Sequence, residues 1–266
     1  MEHEMHDHDR GLAFDLSTLF QRRRMLGLFG AAGLATGLAT LAGCTTSNDG
    51  PTTATTADCS IKIPQETAGP FPGDGSNGPN VLTQSGIVRS DIRSSFGSSS
   101  TVAKGIPLTV SLSILDIANG CKAYAGAAVY VWHCDIDGNY SLYSQPAAGE
   151  NYLRGVQAAD GSGKVTFQTV FPAAYTGRWP HIHFEVYPSL ADATSAGKKI
   201  ATSQLALPKD VCDTVYATTG YEQSVQNMTR LSLDTDMVFR DGYRSQLATV
   251  NGSPSSGYTA TLGVPV

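Results

Sequence analysis

Two histidines separated by one residue, His181 and His183, are the side chains in this sequence best suited to chemistry. The segment that contains them, HIHFEVY, is rich in β-branched and aromatic residues and predicts a strand. Residues two apart on a strand point to the same face, so both imidazoles can be presented side by side. Such a pair suits a first-row transition metal. Alone the pattern is weak, because paired histidines are also common as ordinary surface residues.

Two tyrosines could complete a metal site with these histidines. Tyr175 lies just upstream of His181, with Gly177 allowing a tight turn, and Tyr140 follows a separate predicted strand. A phenol has a pKa of about 10 in water, and a bound trivalent cation would favour its phenolate form. Two phenolates and one hydroxide would neutralise Fe(III), and two neutral imidazoles would complete a five-coordinate site. Either tyrosine taken singly is more typical of a packing or interface residue.

Short, closely spaced strands must position these side chains. Strands are predicted at residues 106–115, 127–132, 164–170, 181–187 and 258–264, and short helices at residues 190–197 and 209–216. The strongest alternation runs through residues 106–115, IPLTVSLSIL, which is typical of a half-buried strand. The 28 glycines and 13 prolines favour many turns over a helical bundle. We therefore expect a mainly β fold, an antiparallel β-sandwich with few short helices.

The order of these segments resembles that of the non-haem iron(III) intradiol ring-cleavage dioxygenases. The matching pieces are residues 67–71, 86–93, 106–116, 126–141, 154–155, 161–184 and 203–205. The most specific piece is the cluster Tyr-x-Gly-Arg-x-x-His-x-His at residues 175–183, preceded by WHCD-x-x-G-x-Tyr at residues 132–140. The resemblance implies the intradiol type of β-sandwich.

The resemblance also implies roles for individual residues. The expected Fe(III) ligands are Tyr140, Tyr175, His181 and His183. The expected catalytic residues are Tyr175, Arg178 and Gln204. The tyrosinate of Tyr175, released from the metal, would act as a base. Arg178 would stabilise negative charge on the catecholate ring, and Gln204 would help to position the substrate. The match at Gln204 is looser, because residues 206–207, Ala-Leu, depart from the aromatic residue often found there.

The implied reaction is intradiol cleavage of a catechol-type ortho-diphenol by O₂ to a cis,cis-muconate-type diacid. Two other classes of protein stay open from the residues alone. One is a non-catalytic β-sandwich lipoprotein that binds protein or carbohydrate, and the other is a copper or zinc chaperone that uses His181 and His183. Neither alternative explains why Tyr140, Tyr175 and Arg178 accompany the histidines. The preferred diol and the oligomeric state are not indicated by the sequence.

The N-terminal residues 1–43 resemble an export signal. Three arginines precede an uncharged run at residues 25–43, and the pattern is similar to a twin-arginine signal. The run ends in Leu-Ala-Gly-Cys, which resembles a bacterial lipobox with Cys44 as the lipidated residue; an uncleaved anchor helix is the alternative. Residues 44–58 predict a Thr-rich tether, and residues 59–266 the catalytic domain. We expect an exported protein of the bacterial cell envelope, or an extracellular one, and the leader makes it similar to the exported single-domain branch of the family.

Cysteine content and charge limit the remaining possibilities. The chain carries 18 basic and 23 acidic residues, a net charge of -5, so it lacks the basic footprint of a nucleic-acid-binding protein. After Cys44, four cysteines remain, and outside the cytoplasm they suggest two disulfides with three pairings open. We predict Cys121–Cys134 as a local staple and Cys59–Cys212 as a tie between the N-terminal arm and the body.

Overall fold

The structure, a computed structural model, describes residues 59, 61–195 and 198–266. The predicted signal segment 1–43, the tether 44–58 and the predicted lipidation site Cys44 lie outside these residues, as do the last two residues of the predicted helix 190–197. Within the described part of the chain, no helix is long and apolar enough to span a membrane.

In the residues that the structure describes, nine strands form the body of the fold. They are β1 Pro107–Asp116, β2 Lys122–Ala123, β3 Ala128–Trp132, β4 Arg154–Ala158, β5 Lys164–Val170, β6 His181–Tyr187, β7 Ala201–Ala206, β8 Thr249–Ser253 and β9 Gly257–Pro265. One sheet has the order β2-β1-β9-β8, with β5 also paired to β1, and the other has the order β4-β3-β6-β7. Neighbouring strands are antiparallel except for β1 and β9, which run parallel. The predicted β-sandwich is confirmed.

Helices are few and short across the described ranges of the chain. They are α1 Leu190–Thr194, α2 Lys209–Tyr216 and α3 Glu222–Met228, with 3₁₀ turns at Gln145–Ala147 and Phe239–Asp241. The predicted helix 209–216 is confirmed, and α3 is an addition that the sequence did not predict. Ser189 caps α1 by accepting a hydrogen bond from the backbone N–H of Asp192.

Alternating side chains of both sheets build the main core. From β1, the buried residues Leu108, Val110, Leu112 and Ile114 point inward, as the alternation of residues 106–115 predicts. From β6, Ile182, Phe184 and Val186 meet them from the second sheet. The odd-numbered residues of β6 must therefore lie on the outer face of that sheet. All seven residues of β6 are nevertheless buried, so the outer face is covered as well.

The predicted disulfide pairing is wrong. The structure joins Cys59 to Cys121, with Cα atoms 6.0 Å apart, and leaves Cys134 and Cys212 as buried free thiols. Cys121 lies in the partly exposed connection between β1 and β2, where the N-terminal arm passes. Cys134 follows β3 in the other sheet, and its thiol lies 3.6 Å from the carbonyl oxygen of Ala173. Cys212 lies on the buried side of α2, so neither interior thiol can reach its predicted partner.

Candidate metal centre

The four side chains predicted to bind iron come together at one point on the outer face of the second sheet. The Nε2 atom of His181 lies 3.1 Å from the Nε2 atom of His183. The same His181 atom lies 3.4 Å from the phenol oxygen of Tyr140 and 3.4 Å from that of Tyr175. Tyr140, His181 and His183 are each 2% exposed, whereas Tyr175 is partly exposed. Two phenols and two imidazoles thus share one largely buried cluster.

Strand pairing places the two histidines. His181 and His183 lie on the same face of β6 because they are two residues apart. In the antiparallel register with β3, His183 is opposite Trp132, and the register with β7 puts Gln204 opposite His183 on the other side. The β7 strand was not predicted as a strand, yet it brings Gln204 beside the histidine pair.

Two turns place the tyrosines. After β3, the carboxylate of Asp135 accepts hydrogen bonds from the backbone N–H groups of Asp137 and Asn139, which closes a tight turn just before Tyr140. Before β6, Gly177 adopts a φ of +83°, and the backbone N–H of Arg178 donates to the Tyr175 carbonyl at 3.2 Å. The left-handed φ at Gly177 reverses the chain and brings Tyr175 back over His181.

Both histidines of the cluster are neutral, and His181 directs an unprotonated ring nitrogen into it. Nδ1 of His181 lies 2.5 Å from the carbonyl oxygen of Trp179, so it carries the proton and leaves Nε2 as a bare acceptor. Burial holds the pKa of His181 and of His183 well below 6.5, and the positive charge of Arg178 adds to this effect in both. Both rings are therefore neutral, which is the state in which imidazole binds metals.

Two neighbours fix the ring of His183. The Trp132 ring stacks on it, with centroids 4.8 Å apart and an interplanar angle of 5°. Gly69, in the loop of residues 67–71, approaches so closely that a Cβ atom there would lie 3.3 Å from Cε1 of His183. Nδ1 of His183 is buried and has no hydrogen-bond partner within the described part of the structure. Packing, rather than a hydrogen bond, therefore orients this imidazole.

The cluster fits a ferric ion by spacing and by chemistry. Donor atoms about 2.0–2.1 Å from a metal and about 90–110° apart lie about 2.8–3.4 Å from one another, and the neighbouring donors observed here are 3.1–3.4 Å apart. Burial, followed by the proximity of Tyr175, raises the pKa of Tyr140 well above 10. A trivalent cation would reverse that effect by stabilising the phenolate. Among the described residues, no cluster of three or more His, Cys, Asp or Glu side chains offers another metal site.

Arg178 and Gln204, the other two predicted site residues, contact each other. The Nη2 group of Arg178 donates to Oε1 of Gln204 at 2.6 Å, and Nε2 of Gln204 donates to the Thr67 carbonyl oxygen at 2.9 Å. Arg178 is 2% exposed and Gln204 is fully buried. Sequence reasoning missed Asp236, whose Oδ2 lies 3.1 Å from Nε of Arg178. No motif marks Asp236, which is 58 residues from its partner.

Arg154 is a second residue whose role the sequence did not predict. It is fully buried and donates from NH groups to Ser141, beside Tyr140, and to the carbonyl oxygens of Phe71 and Pro72. The Phe71 ring in turn lies 5.1 Å from the Tyr140 ring. Arg154 thereby joins β4 to both the loop and the turn that surround Tyr140. Its only sequence signal was the match of residues 154–155 to the family pattern.

Comparison with known proteins agrees with this geometry. The sequence model of a family described as "Dioxygenase" matches residues 78–210, which is half of the chain. An intradiol ring-cleavage dioxygenase from Tetranychus urticae is 25% identical and has a TM-score of 0.61; the alignment covers 77% of this chain and 96% of that one. A second dioxygenase structure, Tetur07g02040, is 24% identical with a TM-score of 0.60, over 77% of this chain and 95% of that one.

A third similar structure is the dioxygenase domain of a dioxygenase–carbohydrate-binding protein fusion from Streptomyces sp. SirexAA-E. It is 22% identical, with a TM-score of 0.49, over 77% of this chain and 97% of that one. No curated protein sequence matches this chain. The residues matched by the family model include all four clustered donors. The chain belongs to the intradiol ring-cleavage dioxygenase family.

Proposed function

We propose that this protein is a non-haem Fe(III) dioxygenase that cleaves a catechol-type ortho-diphenol with O₂, between its two hydroxylated carbons, to a cis,cis-muconate-type diacid. The observation that carries the proposal is the buried convergence of Tyr140, Tyr175, His181 and His183. Membership of the intradiol family supports the reaction type. Because the chain has a net charge of -5 and its candidate site is largely buried, we propose a small aromatic diol rather than nucleic acid as its partner.

In the proposed site, the two tyrosines and two histidines would hold the iron. When bound by these four residues, Fe(III) would supply Lewis-acid chemistry that activates the ring of the diol toward O₂. Tyr140 is the deeper phenol, and its backbone N–H is fixed by the Ser144 hydroxyl at 2.9 Å. Tyr175 is the more exposed phenol. We therefore assign Tyr175 as the phenol that the substrate would displace and that would act as a base by accepting a proton from the diol.

Arg178 and Gln204 would act on the bound diol rather than on the metal. The Arg178 guanidinium lies in a water-poor environment, where a fixed positive charge stabilises developing negative charge strongly. Gln204 is held by Arg178 on one side and by the Thr67 carbonyl on the other, so it is fixed before substrate binds. We propose that the pair orients the ring of the diol and stabilises negative charge on it.

The two alternative functions need fewer of these contacts. A β-sandwich that binds protein or carbohydrate requires no cluster of phenol and imidazole donors. A copper or zinc chaperone requires His181 and His183 alone. Neither function gives a reason for both tyrosines to lie within 3.4 Å of the same histidine nitrogen. The full donor set therefore favours the dioxygenase.

Iron–phenolate absorption tests the proposal. Protein from iron-replete cells should be red-brown, and its visible band should shift when catechol is added without O₂. Tyr175→Phe should remove much of this band, because one of two phenolates is lost. Tyr124→Phe is a matched control, since Tyr124 packs against the main core away from the cluster and should leave the band unchanged. A colourless wild-type protein without iron would count against the enzyme, and an unchanged band in Tyr175→Phe would refute that ligand.

We also propose that the protein is exported and anchored by a lipid on Cys44, on the basis of the leader in residues 1–43. The diol would then be met outside the cytoplasm. Fractionation of cells that express the full chain tests this proposal. The wild-type protein should sediment with membranes, and Cys44→Ala should not carry the lipid. A lipid-free wild-type protein in the cytoplasm would contradict both statements.

A further inference from the structure

We propose that Asp236 is a positioning residue that orients Arg178 in the candidate active site. The inference rests on the proposed function, because it concerns how Arg178 meets the substrate. It assigns a role to the segment of residues 229–247, which none of the sequence motifs includes. Two independent sets of contacts support it, one at the Asp236 carboxylate and one in the packing of this segment.

In the first set of contacts, both oxygens of the Asp236 carboxylate accept two hydrogen bonds each. Its Oδ2 accepts from Nε of Arg178 at 3.1 Å and from the backbone N–H of Trp179 at 2.7 Å. Its Oδ1 accepts from the backbone N–H groups of Val238 at 2.8 Å and Phe239 at 3.2 Å. The Asp236 side chain has no exposed surface. Four donors fix this carboxylate, so it can serve as a rigid reference for the guanidinium.

The guanidinium is then held along two of its edges. Nε points to Asp236, and Nη2 points to Gln204 at 2.6 Å. Because the guanidinium is planar, two such contacts determine the plane in which it lies. The same carboxylate also reaches the metal-binding strand, since Trp179 donates to Asp236 and its carbonyl accepts from Nδ1 of His181. One acidic residue thus fixes the arginine and the backbone that orients a proposed iron ligand.

The second set of contacts holds the segment against the site. Met237, Val238 and Phe239 are buried together with Trp179 and Ala206 in a separate apolar cluster. The Phe239 ring lies 6.5 Å from the His181 ring. Segment 229–247 is therefore packed as part of the wall behind β6. Because this segment is packed, it cannot shift to compensate for a change at Asp236, and the change should alter the position of Arg178.

Charge explains why orientation matters more than the presence of the cation. The Asp236 carboxylate, 3.1 Å from Nε of Arg178, offsets part of the positive charge of the guanidinium. The N–H groups of the guanidinium stabilise negative charge on a substrate only where they are directed at it. In Asp236→Asn, one of the two carboxylate oxygens is replaced by an amide NH₂ group. That group would face either the donors of Arg178 and Trp179 or the two backbone N–H donors on the other side, and a donor that faces a donor forms no hydrogen bond. We therefore expect the guanidinium to turn away in Asp236→Asn while iron binding persists.

A double-mutant cycle tests the inference with the iron-loaded full chain and catechol. Asp236→Asn should lower kcat by about 10- to 100-fold, with KM and the anaerobic catechol Kd changed by less than about threefold. In the Arg178→Gln background, the same substitution should change kcat by less than about threefold, because most of its effect passes through the arginine. The iron–phenolate band of each variant reports separately on the second contact, which runs through Trp179 to His181. Glu185→Gln is the matched control: Glu185 is an equally buried carboxylate paired with Lys199 at 2.7 Å, farther along β6, and its loss should change kcat by less than about twofold.

If the double variant loses kcat by the product of the two single losses, Asp236 does not act through Arg178, and the positioning role is overturned. So would an unchanged kcat in Asp236→Asn. If the asparagine variant does not fold, the same cycle with Asp236→Glu applies the same criteria, because the added methylene displaces the carboxylate while keeping its charge. A wild-type protein that binds iron but does not cleave catechol would instead refute the proposed function, so the two failures are distinguishable.

Discussion

At the scale of single residues, the candidate site combines imidazole and phenol side chains whose burial favours their neutral forms. Burial lowers the pKa of His181 and His183 and raises the pKa of Tyr140, so each side chain favours its neutral form. The sequence predicted this set, since His-x-His on a strand and the two tyrosines are visible as residue types. Asp236 could not be predicted, because its partner Arg178 is distant in the chain and the contact arises only from tertiary packing.

Glu66 gives a prediction about pH at the same scale. Burial and the nearby Asp241 raise the pKa of its carboxyl from 4.5 to about 7. The folded state therefore binds a proton that the unfolded state releases between about pH 4.5 and pH 7, and this group lowers stability as pH rises through that range. Relative to the wild type, Glu66→Gln should gain about 1–3 kcal/mol in the free energy of unfolding between pH 4.5 and pH 8.

Urea denaturation across this pH range measures the effect. Glu222→Gln is the control, because Glu222 is exposed and its backbone hydrogen bond with Gly220 lowers its pKa instead. The difference between Glu222→Gln and the wild type should not rise with pH. If the Glu66→Gln difference likewise does not rise with pH, the carboxyl of Glu66 does not have its raised pKa.

At the scale of elements, strands with clear alternation or with many β-branched and aromatic residues were predictable, and the others were not. The predicted strands 164–170 and 181–187 coincide with β5 and β6. β8, TVNGS, has a single apolar residue and forms an edge strand because it pairs with β9. β7 reads ATSQLA, and its strand conformation likewise comes from pairing, here with β6. Periodicity is a local signal, so it does not report strands that are stabilised by a partner.

The loop of residues 67–71 is the element whose shape most directly affects His183. Gly69 has a φ of +68°, and a Cβ atom there would press on the imidazole. Gly69→Ala should lower stability by about 1–2 kcal/mol through its backbone and lower iron affinity by about 10-fold or more, because His183 must move. Chelator competition measures the iron affinity, and chemical denaturation measures the stability.

Gly97→Ala separates the two effects. Gly97 has a φ of +77° but nothing within 4 Å of a Cβ atom, so it shares the backbone cost without contacting the site. It should lose comparable stability and keep wild-type iron affinity. Equal iron affinity in both variants would mean that Gly69 does not support the orientation of His183.

At the scale of the whole molecule, one disulfide ties the N-terminal arm to the sandwich. Cys59 and Cys121 are 62 residues apart in sequence, and this closure is worth about 4 kcal/mol in the chain-entropy model. The four cysteines could be counted from the sequence, but their pairing depends on which of them the fold leaves near the surface. The export proposed above would place the protein in an oxidising compartment, in which such a bond persists.

Cys121→Ser should lower the free energy of unfolding by about 2–4 kcal/mol and abolish its sensitivity to reductant. Cys134→Ser provides a contrast, because Cys134 is buried and free, so the variant should still lose stability when a reductant is added. Denaturation with and without reductant measures both variants. A wild-type protein that is insensitive to reductant would contradict the stabilising role of the bond.

Oxygen uptake with identification of the product tests the central claim most directly. The iron-loaded protein, given catechol and O₂, should consume one O₂ for each catechol and form cis,cis-muconate, into which both oxygen atoms of ¹⁸O₂ enter. Tyr175→Phe and Arg178→Gln should slow this reaction without changing the product. Failure to open the ring, or opening it beside rather than between the hydroxylated carbons, would contradict the proposed intradiol activity.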